Sequence, residues 1–167
     1  PTGSGCCSSP RSVRPLMPSS AASAGWGWPT SSSTCTPART GVGAWLGDAP
    51  IRVSEVGAIE SAALSTGNLK TLATGARWPA FGRLVGRLNR IRGYGDFLHY
   101  HLLASGRIDA VVESDVNILD IAACAVIVEA AGGRFTDLDG QPLTLASTSV
   151  LATNGRLHGP VLDAIRD

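Results

Sequence analysis

Three carboxylates, Asp96, Glu113 and Asp120, are the residues whose types and spacing could do chemistry. Asp120 stands among Ile118, Leu119, Ile121, Ala122 and Ala123. A charge in such company is expensive unless it is neutralised, hydrogen-bonded or bound to a cation. Glu113 ends the apolar run of "RIDAVVES", seven residues before Asp120, and Asp96 follows a glycine at a helix start. Carboxylates gathered on one edge suit a divalent cation, a cationic substrate group, or both. Each also has a plainer use: helix capping for Asp96 and Asp120, and a solvated strand end for Glu113.

Alternating elements have to position them. "AWLGDAPIRVSEV" reads as a hairpin, with Gly47-Asp48 and Pro50 marking the turn and Ile51 and Val53 sharing one face of the second strand. Residues 61–67 form a short strand ending at a glycine. "PAFGRLVGRLNR" is a helix with Pro79 in its first turn; Phe81, Leu84, Val85 and Leu88 make its apolar stripe, and Arg83, Arg87 and Arg90 a polar one. "RIRGYG" is a strand, Asp96 the N-cap of a helix over "FLHYHLLAS", and Gly106 that helix's stop. "RIDAVVES" is a strand and "ILDIAACAVIVEAA" a helix stopped by Gly132-Gly133. "RFTDL", the turn "DGQP", the strand "SVLATN" and the helix "LHGPVLDAIRD" complete the chain. From Ser61 the order is βαβαβαββα, which predicts an α/β fold with a largely parallel mixed sheet flanked by helices. Strand ends and helix N-termini in such sheets border one crevice, which puts the three carboxylates on a common rim.

The string "DVNILDIAACAVIVEAAGGRFTDLDG" resembles the C-terminal signature of the inositol monophosphatase-like phosphatases: Trp-Asp-x-Ala-Ala, an apolar run, then Glu-Ala-Gly-Gly. Upstream, "GDFLHYHLLASGRIDAVVES" is similar to the histidinol-phosphate phosphatase branch. The resemblance spans Gly41 to Asp167 and implies the C-terminal domain of the family's layered sandwich. It also implies hydrolysis of a phosphate monoester by Mg²⁺-activated water. Asp120 would be a metal ligand, and Asp96 and Glu113 contacts to the substrate's non-phosphate end. Histidinol phosphate offers an amine and an imidazole there, for which acidic contacts make chemical sense. An inositol or nucleotide phosphate is the alternative substrate, and a non-catalytic remnant that binds ligand or dimerises is the alternative from another class.

The sequence departs from the family pattern twice. Leu119 stands where the family has Trp. The family's other metal ligands, a helix Glu and an Asp-Pro-x-Asp-Gly-Thr loop, have no counterpart; the one Asp-Gly pair is Asp139-Gly140. With a single family ligand kept, the chain as written is expected to bind Mg²⁺ weakly and to be inactive.

Residues 1–40 contain no Asp, Glu, Lys, His, Ile, Phe, Tyr, Asn or Gln, and show no periodicity. They read as a low-complexity segment, either disordered or translated out of frame from a GC-rich gene. A transit peptide fits poorly with Trp26, Trp28 and Cys6-Cys7. Residues 41–57 read as a hairpin remnant of an N-terminal domain, and 58–167 as the C-terminal α/β domain. All 13 acidic residues and eleven of the 14 basic ones lie beyond residue 40, leaving that part at −2. This balance signals neither nucleic acid nor a membrane surface as partner. A cytoplasmic protein acting on a small phosphorylated substrate is expected, with a homodimer left open. Cys124 reads as a core residue rather than a ligand. His99 and His101 are two apart on a helix, cannot share a zinc, and read as partly exposed. The arginine stripe reads as a solvated face, and "GVGAWLG" has no preceding strand to make it a dinucleotide loop.

Overall fold

The computed structural model describes residues 38–39 and 42–166. Expectations for residues 1–40 therefore fall outside it, apart from strand β1 (Ala38–Arg39). β1, β2 (Gly43–Leu46) and β3 (Ala49–Ile51) form an antiparallel sheet in that order. The hairpin turns at Gly47, at φ +61°, and Asp48. Pro50 was expected to mark the turn; it instead sits inside β3, opposite Trp45. β3 is an edge strand, so the missing N–H of Pro50 costs no ladder bond.

The second sheet holds β4 (Ala63–Thr66), β5 (Arg90–Arg92), β6 (Ala110–Ser114), β7 (Arg134–Thr136) and β8 (Ser149–Thr153), in the order β5-β4-β6-β8-β7. β5, β4 and β6 pair in parallel, and β8 is antiparallel to both β6 and β7. Only β8 runs against the others, so the sheet is mixed and largely parallel, as the alternation of elements predicts. The helices are α1 (Lys70–Thr74), α2 (Trp78–Arg87), α3 (Asp96–Ala104), α4 (Ile118–Ala130) and α5 (His158–Arg166). α1 was not anticipated; five residues are too few to show a helical period.

Both faces of this sheet are buried. Ala110, Val112 and Leu151 face Phe81 and Leu84 of α2 and Val161 and Ile165 of α5. Val111, Val150 and Ala152 face Tyr100 and Leu103 of α3 and Ile121, Cys124 and Val128 of α4. Ala44 of β2 joins this second core, so the small sheet packs beside α4. Cys124 is a buried free thiol, as expected. Arg83, Arg87 and Arg90 are exposed, with Arg87 paired to Glu60 at 2.9 Å. No helix among the described residues is long and apolar enough to cross a membrane.

The two glycines after α4 do different work. Gly132 takes φ +92°, and its N–H donates to Glu129 O while Gly133 N–H donates to Val128 O. This pairing is a Schellman cap, which needs a left-handed residue at Gly132. Gly133 has a normal φ, but a Cβ there would come within 2.6 Å of Val128 Cγ1 and 2.7 Å of Thr153 O. Gly133→Ala is therefore expected to destabilise the fold by about 1–3 kcal/mol through overpacking, read from denaturant unfolding midpoints.

α5 is tied to the sheet by a buried polar bridge. His158 lies between Thr136 Oγ1, 3.0 Å from Nε2, and Thr153 Oγ1, 3.1 Å from Nδ1. Burial, with the nearby charge of Arg134, pushes its pKa down from 6.5 to about 4. Between those values the unfolded chain holds a proton that the folded chain refuses. Stability is thus expected to fall as pH drops from 6.5 to about 4. In His158→Gln, less stable at neutral pH, this part of the pH dependence should vanish in unfolding curves measured across that window.

Candidate active-site cleft

The pleat of β6 decides where Glu113 points. Val111 and Glu113 alternate with Ala110 and Val112, so the carboxylate lies on the α3–α4 side, at the carboxyl end of the strand. Gly67 and Asn68 follow β4, Gly93 to Gly95 follow β5, and Asp115 to Asn117 follow β6. These three segments meet where α3 and α4 begin. The cleft there has a volume of about 360 Å³ and is lined by Asp96, Phe97, Tyr100, Glu113, Asp115 and Asp120 with Val116 and Ile121. The three carboxylates singled out in the sequence therefore share one cleft.

Their local settings differ from expectation. Asp120 is exposed, not buried among its apolar neighbours. α4 turns Ile121, Cys124 and Val128 into the core and leaves Leu119 83% exposed beside Asp120. Nor is Asp120 the cap: Asn117 holds that position, accepting from Leu119 N–H at 2.9 Å. Asp96 is not a cap either. Gly95 is the N-cap residue, and Asp96 is the first helical residue, at φ +47°, with its carboxylate unused by the backbone. Both acids sit in first helical turns, where the helix dipole favours negative charge.

Glu113 is no solvated strand end. Its side chain is only 12% exposed. Tyr100 Oη donates to Oε2 at 2.7 Å, and Asn68 N–H donates to Oε1 at 3.3 Å. Burial pushes its pKa up, but the His99 ring, Tyr100 and the Asn68 N–H outweigh this and hold the carboxyl below its ordinary value. The same burial and the adjacent carboxylate push the Tyr100 phenol up. Gly67 makes room for this arrangement, because a Cβ at that position would land on the Glu113 carboxylate. His99 is also not partly exposed: it is fully buried beneath the cleft.

Asp115 is the cleft residue that sequence reasoning missed. It has φ +60° and accepts from Ser114 Oγ at 2.8 Å, from Thr71 N–H at 3.0 Å and from the Thr71 hydroxyl. The Thr71 hydroxyl and N–H lead in holding its pKa low. It fastens α1 to the cleft wall, and its only signal in the sequence was its place two residues after Glu113. Asp96 and Asp115 are the two non-glycine residues of positive φ among the described residues, and both line this cleft.

The lining carries four carboxylates and no basic side chain. Such a surface can bind ammonium, imidazolium or metal cations and accept hydroxyl hydrogen bonds. Among the described residues no group of three or more His, Cys, Asp or Glu lies close enough to hold a metal ion. Asp96, Glu113 and Asp120 therefore share the cleft without forming a metal-ligand cluster among the described residues.

Tyr100→Phe tests the Glu113 setting. Removing a hydrogen bond to a charged group should cost about 1.5–3 kcal/mol of stability and raise the Glu113 pKa. The folded pKa lies below the unfolded one, so this stabilisation is present at neutral pH and disappears as pH falls through the folded value. A carbon-13 titration of the glutamate carboxyls in both proteins checks the direction.

The model of the Inositol monophosphatase family matches residues 28–167, starting within the acid-free segment. A histidinol-phosphatase of Mycobacterium tuberculosis is 41% identical over 112 residues, which are 67% of this chain and 43% of that protein. An inositol-1-monophosphatase of Synechocystis is 35% identical over 133 residues, 77% of this chain and 46% of that protein. The solved inositol monophosphatase of Anabaena superposes with a TM-score of 0.70 at 29% identity, covering 77% of this chain and 52% of that one. The chain thus spans about half the length of the relatives it matches. Members of this family are metal-dependent phosphatases. With the α/β fold, the acidic cleft at the strand ends and a family match over most of its length, the chain belongs to the inositol monophosphatase family.

Proposed function

We propose that this chain serves the hydrolysis of histidinol phosphate, its cleft receiving the amino-alcohol and imidazole end of the substrate. The observation that carries the reading is the four-carboxylate lining without a basic residue. A protonated amine gains charge-assisted hydrogen bonds in such a cleft, whereas a neutral polyol gains only ordinary ones. Asp96 and Glu113 are the contacts to that end, and Asp120 would be one ligand of a Mg²⁺ ion that needs further oxygen ligands. The ion would polarise the phosphate and activate water. Residues 1–47 contain no carboxylate, and the described residues do not complete a metal site. An inositol phosphate is the second reading, favoured by the inositol-1-monophosphatase relative.

Two measurements test this. The purified chain, assayed with millimolar Mg²⁺ and histidinol phosphate, is expected to release phosphate at or near background, and Asp120→Asn to change little. Turnover abolished by Asp120→Asn would contradict this. In calorimetric or NMR titrations, Asp96→Asn and Glu113→Gln should each weaken histidinol binding by about 10- to 100-fold, the equivalent of one charge-assisted contact. Inositol binding should change much less. Equal losses on both ligands would assign these residues a structural role.

A further inference from the structure

His99 does not line the cleft, yet its ring stands against the Glu113 carboxylate that does. It is fully buried on α3. Its Nδ1 lies 3.4 Å from Ser65 Oγ, which itself accepts from Tyr94 N–H at 3.3 Å. The Ser65 hydroxyl proton has no other acceptor among the described residues, and Nδ1 is the atom in reach to take it. That leaves the ring's N–H on Nε2. Nε2 is 3.2 Å from Glu113 Oε2 but is not aligned for a hydrogen bond, and it is the buried side-chain polar atom without a hydrogen-bond partner among the described residues. A buried donor left unmatched costs stability unless it serves something. The ring is further fixed edge-on to Tyr100, at 4.2 Å between centroids. Tyr100 is the residue whose hydroxyl occupies the same Oε2.

We infer that His99 is a positioning residue for substrate recognition: its Nε2, 3.2 Å from the Oε2 that Tyr100 bonds, backs the Glu113 carboxylate and keeps it in one orientation, so that it meets the ligand through its remaining lone pairs. With Tyr100 bonded to Oε2 and the Asn68 N–H to Oε1, the planar fork of a guanidinium finds a donor already on each oxygen. A single ammonium or hydroxyl donor fits. The misaligned contact would tighten when a ligand presses on Glu113 from the cleft side, as such contacts do in ligand-free sites. This inference rests on the reading of Glu113 as a substrate contact, but the orientation of Glu113 can be measured without any ligand.

The experiment labels glutamate side-chain carboxyls with carbon-13 in the full chain and assigns Glu113 by the signal lost in Glu113→Gln. His99→Asn keeps an amide where Nδ1 stood, near Ser65, but cannot reach Glu113; His99→Gln returns an amide to the place of Nε2. The Glu113 signal is expected to shift in His99→Asn and to move back in His99→Gln, although both lose packing. Histidinol binding should weaken about tenfold in the first and recover in the second. An unmoved Glu113 signal in His99→Asn overturns the inference, as does an equal displacement in both variants, which is the mark of packing alone. Should His99→Asn not fold, Ser65→Ala loosens the ring from its other end and decides the matter in the same way: a shifted Glu113 signal supports the role and an unmoved one overturns it. If the unmutated chain binds neither histidinol nor inositol, the functional reading fails, and the carboxyl signal still decides the role of His99.

Discussion

Strand β6 is buried on both sides, and the alternation of its side chains governs the cleft. Ala110 and Val112 are committed to one core and Val111 to the other. A shift of register by one residue would exchange every one of these contacts. With Val111 fixed under α3 and α4, Glu113 must follow on the same side, one pleat further on. It emerges where the parallel strands end, and the flanking helices start at the same edge because each crossover returns the chain there. Asp96 and Asp120 come to the cleft by this route, as first-turn residues of those helices.

The two ends of β6 show how differently one strand can treat a carboxylate. Asp109 lies just before it, almost fully buried. It accepts from Ala63 N–H at 2.7 Å and from the Ser54 hydroxyl, and Asn154 joins the cluster through Ser54 Oγ at 2.9 Å. Each of its oxygens has a protein partner, and it clips the segment after β3 to the sheet. At the other end Glu113 is also bonded, but it faces a cleft and a histidine that is not aligned with it. Saturated polar groups rigidify a core, whereas a partly committed one keeps lone pairs facing the cleft.

The acidic lining also has an electrostatic consequence. Four carboxylates around one cleft repel one another and favour any cation that enters. Their side chains do not converge as a ligand set among the described residues. Asp115 is held toward α1 and Glu113 toward α3, while the Asp96 and Asp120 side chains, at helix starts, make no hydrogen bond or ion pair among the described residues. A divalent cation takes several oxygen ligands, more than these side chains bring together.

How much was legible in the sequence depends on the range of the physics involved. The alternation of elements, the apolar stripe of α2, the glycine stop of α4 and the placing of Asp96, Glu113 and Asp120 on one rim all follow from local periodicity and capping. The chain could therefore be read as an α/β sheet with an acidic crevice. Local pattern could not tell that Asp120 is exposed, because α4 is apolar nearly all round and only packing shows which side meets the sheet. It misplaced the cap at Asp96, since Gly95 and Asp96 adopt positive φ values that no run of residue types announces. It missed α1 and Asp115, whose bond to Thr71 spans 44 residues. It left His99 half-exposed, when the approach of β4 and β6 buries it between Ser65 and Glu113. Sequence determined which elements form and which residues reach the strand ends; tertiary structure alone decided their burial and partners, because those depend on contacts between segments far apart in the chain.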